Sequence, residues 1–344
     1  KYYPNGRASC EGLALGIKMD KNDVAFRANL SQIDGDILRS FNANYIKSEL
    51  SKPLIKKLNS KLLNSFPDFE LHHNSDFRNT LIIRNSDIPA SEFQCIEPHE
   101  NMGKEFDFSR LVGSDSSNGS QTLRRLNSYI LKTKEILAGE KANIIFPWSP
   151  SSKLDLPKFS LPFPGKSAII AHMDFLKGIA ISSGIDFFQR GNGNWDTDYN
   201  SKLEKIIELF DSGYSFVYCH VNGPDEASHM GDVKKKKYSL EMSDKEIVEP
   251  IISYFDNNPS SLGGILVTTD HFTNLHAINL ERIEAHSKDP VPFIIYDGNK
   301  KDNMNSFSEE GALLGKYGKD IINHLDLLKL LFRSNQWYLR HVLI

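Results

Sequence analysis

The strongest constraint on the fold lies in residues 166–298, where short apolar runs alternate with amphipathic stretches. "KSAIIAH" (166–172) reads as a strand, "MDFLKGIAISSG" (173–184) as a helix closed by Gly184, and "YNSKLEKIIELFDSG" (199–213) as a helix closed by Gly213. "YSFVYCHV" (214–221) reads as a strand and "SLEMSDKEIVEPIISYFDN" (239–257) as a helix, while "GGILVTTD" (263–270) and "PVPFIIYDG" (290–298) are strands. Apolar strands that alternate with helices must be covered on both faces. This half therefore predicts an α/β fold with a mainly parallel, doubly wound sheet. In such sheets ligands sit beyond the C-terminal ends of the strands.

The first half has a different rhythm. Residues 6–19 read as a short helix, 23–33 as a strand, and 51–66 as an amphipathic helix with Leu54, Leu58, Leu62 and Leu63 on one face. Residues 79–86 are a strand, 120–140 a second amphipathic helix, and 142–148 a strand. This pattern predicts a smaller α/β or α+β module over 21–164, and "SPSSKLDLPKFSLPFPG" (149–165) is the best linker. A chain of 344 residues accommodates two such domains.

Composition narrows the partners. A formal net charge of −3 supplies no basic field for nucleic acid, so a substrate anion would be met by local Arg and Lys. No apolar run approaches a membrane span. Cys10, Cys95 and Cys219 are far apart, odd in number and outside any CxxC, which points to a reducing, cytoplasmic setting. "KKKK" (234–237) reads as a solvated run. The first residues show neither a signal-peptide core nor an initiator Met, so the chain is expected to begin inside a longer protein.

Three places join an acid to an imidazole, or place an imidazole against a strand. Asp225 and His229 lie four apart in "PDEASH", Asp270 and His271 are adjacent in "TTDH", and His286 stands in "EAHSKDPVPF". Two of the three fall at the C-terminal ends of predicted strands. A Pro before the Asp lets DxxxH wrap one turn and bring both groups to one cation. Carboxylate plus imidazole suits Zn²⁺, Mn²⁺ and related ions. Each motif alone has a bland account, a capping Asp or a surface His. All three in this order argue for a metal site. His220 is either a second donor to a ligand carboxylate or a packed His.

"PDEASH…TTDH…AHSKDPVPF" resembles the metal-site signature of the 2,3-bisphosphoglycerate-independent phosphoglycerate mutases of the alkaline phosphatase superfamily. The archaeal-type branch is the nearer match. "YYPNGRASCEGLALGI", "DVAFRANL", "MDFLKGI", "DTDYNSKLE", "FVYCHVNGPDEASHMGD", "DPVPFIIY" and "FSEEGALLGKYG" resemble its segments in order. The resemblance implies an alkaline phosphatase-like catalytic half over 1–20 and 165–344, with 21–164 inserted as a substrate clamp. It implies two divalent metals, Mn²⁺ first and Mg²⁺, Co²⁺ or Zn²⁺ as alternatives, and no 2,3-bisphosphoglycerate. Asp225, His229 and His286 would hold one metal, and Asp270 and His271 would belong to the other. Arg27, Arg84 and Lys177 match family cations that meet a phosphoglycerate substrate. The implied reaction interconverts 3-phosphoglycerate and 2-phosphoglycerate, in glycolysis and gluconeogenesis, through a phosphoserine.

Three departures accompany the resemblance. An Arg-rich family stretch here reads "DILRSFNANY" (36–45), with Arg39 alone, and the tail 333–344 does not resemble family sequence. Lys1 falls downstream of the family's nucleophilic Ser and first metal-binding Asp. This chain is therefore expected to lack the nucleophile and one ligand, and to be inactive alone. The alternatives are another metal-dependent phosphatase or phosphotransferase of the superfamily, or a non-catalytic homologue that binds metal or metabolite.

Overall fold

The computed structural model describes residues 6–114, 119–160, 163–259, 262–275, 286–287, 289–296, 302, 306, 308–318, 323–332 and 340–344. The chain forms two compact units, Lys1–Pro157 with Lys177–Ser182, and Lys158–Leu176 with Ser183–Ile344. One crossing between them, Pro157/Lys158, falls inside the Pro-rich stretch 149–165; the other two, Leu176/Lys177 and Ser182/Ser183, fall beyond it.

The first unit contains α1 (Ala8–Ala14), β1 (Val24–Asp34), β2 (Ile37–Ser40), α2 (Ser48–Leu62), β3 (Phe69–Ser75), β4 (Arg78–Ile83), the short strands β5 (Phe93–Gln94) and β6 (Gly113–Ser114), α3 (Gln121–Ile136) and β7 (Ile144–Ser152). β1 is its hub. It pairs antiparallel with β4 on one side and β7 on the other, and its far end pairs with β2. Strand alternation divides its side chains between two faces. Phe26, Ala28 and Leu30 join Leu58 of α2 and Leu126, Tyr129 and Ile130 of α3 in the main core. Ala25 faces the other way and packs with Ala8, Met19 and Ile82. Compactness places 1–20 with this unit because α1 lies against its sheet. An antiparallel sheet of this kind makes the module α+β.

Asp87 starts α3 from outside the helix. Its carboxylate accepts from Ser120 Oγ (2.7 Å) and from the backbone N–H groups of Gln121 (2.7 Å) and Thr122 (3.1 Å). Its own N–H donates to Thr122 Oγ1 at 3.1 Å. Burial would raise this carboxyl, but the hydrogen bonds from Thr122, Ser120 and the helix backbone outweigh it and hold it well below the usual carboxylate range.

The chain continues with β8 (Lys166–Ala171), α4 (Asp174–Ser183), whose Lys177–Ser182 count with the first unit, β9 (Asp186–Gln189), α5 (Tyr199–Asp211) and β10 (Tyr214–Cys219). Gly184 and Gly213 follow α4 and α5 with φ of +71° and +83°, the left-handed stop that a Cβ would strain. Next come α6 (Gly223–His229) and α7 (Val233–Ser243), a π-helical turn Asp244–Val248 and α8 (Glu249–Asp256). The single helix expected over 239–257 thus starts earlier and carries a π-turn. β11 (Leu262–Thr268), β12 (Phe272–Thr273), β13 (His286–Ser287), β14 (Phe293–Tyr296), α9 (Glu309–Leu314), α10 (His324–Leu331) and β15 (Arg340–Leu343) complete it.

Among the described residues the sheet order is β14-β11-β15-β10-β8-β9, with every pairing parallel except β11 with β14. Both faces are covered. Val217, Cys219, Ile265 and Val342 pack with α5, the π-turn and α8. Phe216, Leu266 and Leu343 face Leu331 and Phe332 at the end of α10. The tail, to which the resemblance assigned nothing, supplies the strand between β10 and β11. Its His341 is 2% exposed and fills the space beside Gly263, where an added Cβ would come within 2.2 Å of the ring. No described helix is long and apolar enough to cross a membrane.

Two expectations test these packings. Asp87→Ala should lower stability by about 1–2 kcal/mol in denaturant unfolding. Because the Asp87 pKa is depressed on folding, its contribution is complete above the unfolded value, about 3.9, and fades as pH falls below it. The variant should therefore show a flatter acid limb than the parent chain. In the sheet, Gly263→Ala should cost about 1–3 kcal/mol by overpacking. Combined with His341→Ala it should destabilise by less than the sum of the two single changes, a coupling that a double-mutant cycle reads directly.

Candidate metal centre

The centre is built at the C-terminal ends of β10 and β11, the edge where a parallel sheet gathers ligands. After β10 the chain turns through His220–Asn222 into α6. Pro224 lies in the first turn of α6 with Asp225 and Glu226, where a missing N–H is harmless and negative charge is favoured. One helical turn then stacks His229 over Asp225. After β11 the chain runs through Asp270 and His271 into β12, whose Thr273 pairs with His286 of β13. This two-strand ribbon carries His286 back to α6.

Asp225, His229 and His286 meet. His229 Nε2 and His286 Nε2 are 3.1 Å apart. They lie 3.4 Å and 3.7 Å from Asp225 Oδ1. Such a triangle contains a point about 2.0 Å from all three atoms, the bond length of a divalent transition metal to imidazole nitrogen and carboxylate oxygen. Two ring nitrogens brought together beside a carboxylate fit a shared cation, and the three side chains therefore suit the ion that the resemblance implies. Each is 30–44% exposed, so the centre is open on one side.

Thr273, which the sequence reading did not single out, ties the set together. Its hydroxyl donates to Asp225 Oδ1 and lies 3.1 Å from His271 Nδ1. The hydroxyl proton is used on the carboxylate, so Nδ1 of His271 must carry the proton it donates to Oγ1. Nε2, on the side of Asp270, is the nitrogen left to ligate a metal. The His271 ring also stacks on His286, with centroids 4.1 Å apart. Its Nε2 is 3.5 Å from Asp270 Oδ2. Among the described residues that pair has no third His, Cys, Asp or Glu within reach; the one other grouping, Glu97–His99–Glu100, is exposed in the first unit.

The loops after β9 and β10 are cross-tied below the centre. Lys202, 2% exposed, donates to the carbonyls of Arg190 (3.0 Å) and His220 (3.1 Å). The Asn222 amide donates to Gly193 O and Glu226 Oε1, both at 3.0 Å. His220 thus enters through its backbone, and its ring lies 6.2 Å from that of Tyr218. No local pattern marks Lys202, since a lysine on an amphipathic helix reads as solvated.

The three expected substrate cations lie in the first unit. Arg27 is paired with Glu11 at 3.1 Å and sits 4.4 Å over the Trp148 ring. Arg84 donates to Glu70 (2.8 and 2.9 Å), Asp23 (2.6 Å) and Lys18 O (2.8 Å). Lys177 is half-buried and has no side-chain partner among the described residues.

Burial alone would raise the Asp225 carboxyl, but hydrogen bonds from His229 and Thr273 outweigh it and bring the pKa to about 2. The same bond to Asp225, against partial burial, raises His229 above its ordinary value. Asp225 therefore stays ionised at any working pH while His229 holds a proton longer than usual. That protonated pair stabilises the metal-free fold below the unfolded His pKa, about 6.5, and the benefit is lost as pH rises through the raised value. A metal must displace the proton from Nε2. Metal affinity should accordingly rise about tenfold per pH unit up to the His229 pKa and then level, with proton release on binding measurable by calorimetry in two buffers.

The chain is similar to known proteins over most of its length. A family model described as 2,3-bisphosphoglycerate-independent phosphoglycerate mutase matches residues 1–143. A Metalloenzyme superfamily model matches residues 188–329, which include Asp225, His229, Asp270, His271 and His286. A 2,3-bisphosphoglycerate-independent phosphoglycerate mutase of Methanosarcina mazei is 30% identical over 341 residues, covering 96% of this chain and 82% of the relative. A probable one from Geobacter sulfurreducens is 26% identical over 321 residues, 89% of this chain and 77% of the relative. A solved protein from Pyrococcus horikoshii superposes with a TM-score of 0.67 at 21% identity, covering 97% of this chain and 80% of that one. A cofactor-independent phosphoglycerate mutase from Thermoplasma acidophilum gives 0.52 at 22%, covering 95% and 82%. The fold is thus α/β and alkaline phosphatase-like. The general phosphatase, the non-catalytic homologue and the inactive chain gain no support over the mutase reading. By its matched segments and its relatives, the chain belongs to the 2,3-bisphosphoglycerate-independent phosphoglycerate mutase family.

Proposed function

We propose that Asp225, His229 and His286 hold a divalent cation, Mn²⁺ in the first instance, in the service of phosphoglycerate mutase activity. The reaction is the interconversion of 3-phosphoglycerate and 2-phosphoglycerate, a step of glycolysis and gluconeogenesis. The observation that carries this reading is the triangle of ligand atoms with sides of 3.1, 3.4 and 3.7 Å. A cation bound there supplies positive charge to phosphoryl oxygens and lowers the pKa of an attacking hydroxyl.

The protein's own groups prepare that chemistry. Asp225 stays anionic, and the Thr273 hydroxyl fixes the orientation of its Oδ1. Thr273 holds His271 through Nδ1 and leaves Nε2 beside Asp270, and we assign Asp270 and His271 to a second divalent ion. Lys177 is the readiest of the three substrate cations because its ammonium is unpaired. Arg27 and Arg84 would have to exchange carboxylate partners for those of the substrate. The separated free cysteines support a reducing, cytoplasmic setting.

The test is an assay of 3-phosphoglycerate conversion by the purified protein with Mn²⁺ and no 2,3-bisphosphoglycerate. Chelation should abolish turnover, Mn²⁺ should restore it, and Asp225→Asn should lower kcat at least about 100-fold. Turnover that survives chelation, or that requires added 2,3-bisphosphoglycerate, would contradict the proposal.

A further inference from the structure

The four-lysine run 234–237 reads as solvated in the sequence, yet one of its members bonds to the backbone of the ribbon that carries His286. Lys235 pairs with Asp232 at 3.4 Å and lies over Trp195, and Lys237 pairs with Glu241 at 3.5 Å. Lys234 is exposed. Lys236 is half-buried and donates instead to the carbonyl of Thr273 at 3.1 Å. Thr273 is the residue whose hydroxyl bonds Asp225 and neighbours His271. One residue therefore separates this ammonium from the ligand cluster.

We propose that Lys236 is a substrate-binding residue, whose ammonium grips a phosphoryl or carboxylate oxygen of the substrate beside the metal. The inference rests on the metal-centre reading above. An ammonium has three donors, and the Thr273 carbonyl occupies one. Among the described residues Lys236 has no carboxylate partner. A divalent ion held by one carboxylate and neutral imidazoles keeps net positive charge. Two cationic centres this close repel unless an anion lies between them. An oxygen-rich anion of several negative charges is the ligand that turns the repulsion into a shared attraction. The Thr273 carbonyl then aims the ammonium and also restricts its rotamers, lowering the entropy lost on binding.

Calorimetric titration of Mn²⁺-loaded protein with inorganic phosphate and with 3-phosphoglycerate tests the assignment. Three variants are compared. Lys236→Met removes charge and donors, Lys236→Gln keeps a donor for the Thr273 carbonyl without the charge, and Lys236→Arg keeps the charge. Met and Gln should weaken both ligands at least about tenfold, Arg should weaken them less, and Mn²⁺ affinity in the absence of anion should be no weaker than the parent's. If Met does not fold, Gln decides. Unchanged phosphate and phosphoglycerate affinity overturns the inference. So does an equal loss of Mn²⁺ affinity, because the lysine would then only prop the β12–β13 ribbon. Binding is read at equilibrium, so absence of turnover with Lys236-dependent binding would overturn the mutase reading alone. A parent protein that takes up no Mn²⁺ would remove both.

Discussion

A half-buried carboxylate that must stay ionised organises the second unit. The Asp225 side chain is 30% exposed and would be driven toward its neutral form by burial alone. Every neighbour counters that tendency. His229 supplies a hydrogen bond and charge from one turn along the helix, Thr273 supplies a hydroxyl from β12, and His286 approaches from β13. No two of these groups come from the same element, so the cluster forms only when α6 and the β12–β13 ribbon are docked. Metal affinity and tertiary packing are thereby linked.

The sheet makes that docking possible. β10 and β11 each deliver a ligand segment from their C-terminal ends, and β15 lies between them in parallel register. The ligand-bearing strands are thus spaced by one strand, and the turn into α6 and the β12–β13 ribbon close over the gap. Lys202 and Asn222 stiffen the approach by tying the loops after β9 and β10 to each other through backbone carbonyls. These contacts lie beneath the ligands and act through the backbone. The same cluster that needs positive charge to hold Asp225 ionised thus rests on a scaffold containing a buried ammonium.

Local signals made much of this visible in the sequence. Apolar runs bounded by Gly184 and Gly213 mark helix ends that the structure places beside positive-φ glycines. The DxxxH spacing puts two candidate ligands on one helical face, and "TTDH" follows an apolar strand as a parallel sheet requires. Other features carried no such signal. β2 and β9 have four residues each, too few for a period. β3, "FELHHNS", mixes apolar and polar residues because most of it is only half-buried. β15 gains its central place only through pairing with strands far earlier in the chain. Thr273 and Lys236 act through contacts with residues 48 and 37 positions away. No local pattern encodes such contacts, and a lysine inside a charge run looks like its neighbours.

The most direct test of the central claim is an anomalous difference map from crystals grown with Mn²⁺ and measured on both sides of the Mn absorption edge. The account predicts a peak bonded to Asp225, to His229 Nε2 and to His286 Nε2, at about 2.0–2.3 Å from each. An occupied crystal with no peak there, and with the His229–His286 contact at 3.1 Å kept as a direct hydrogen bond, would contradict it.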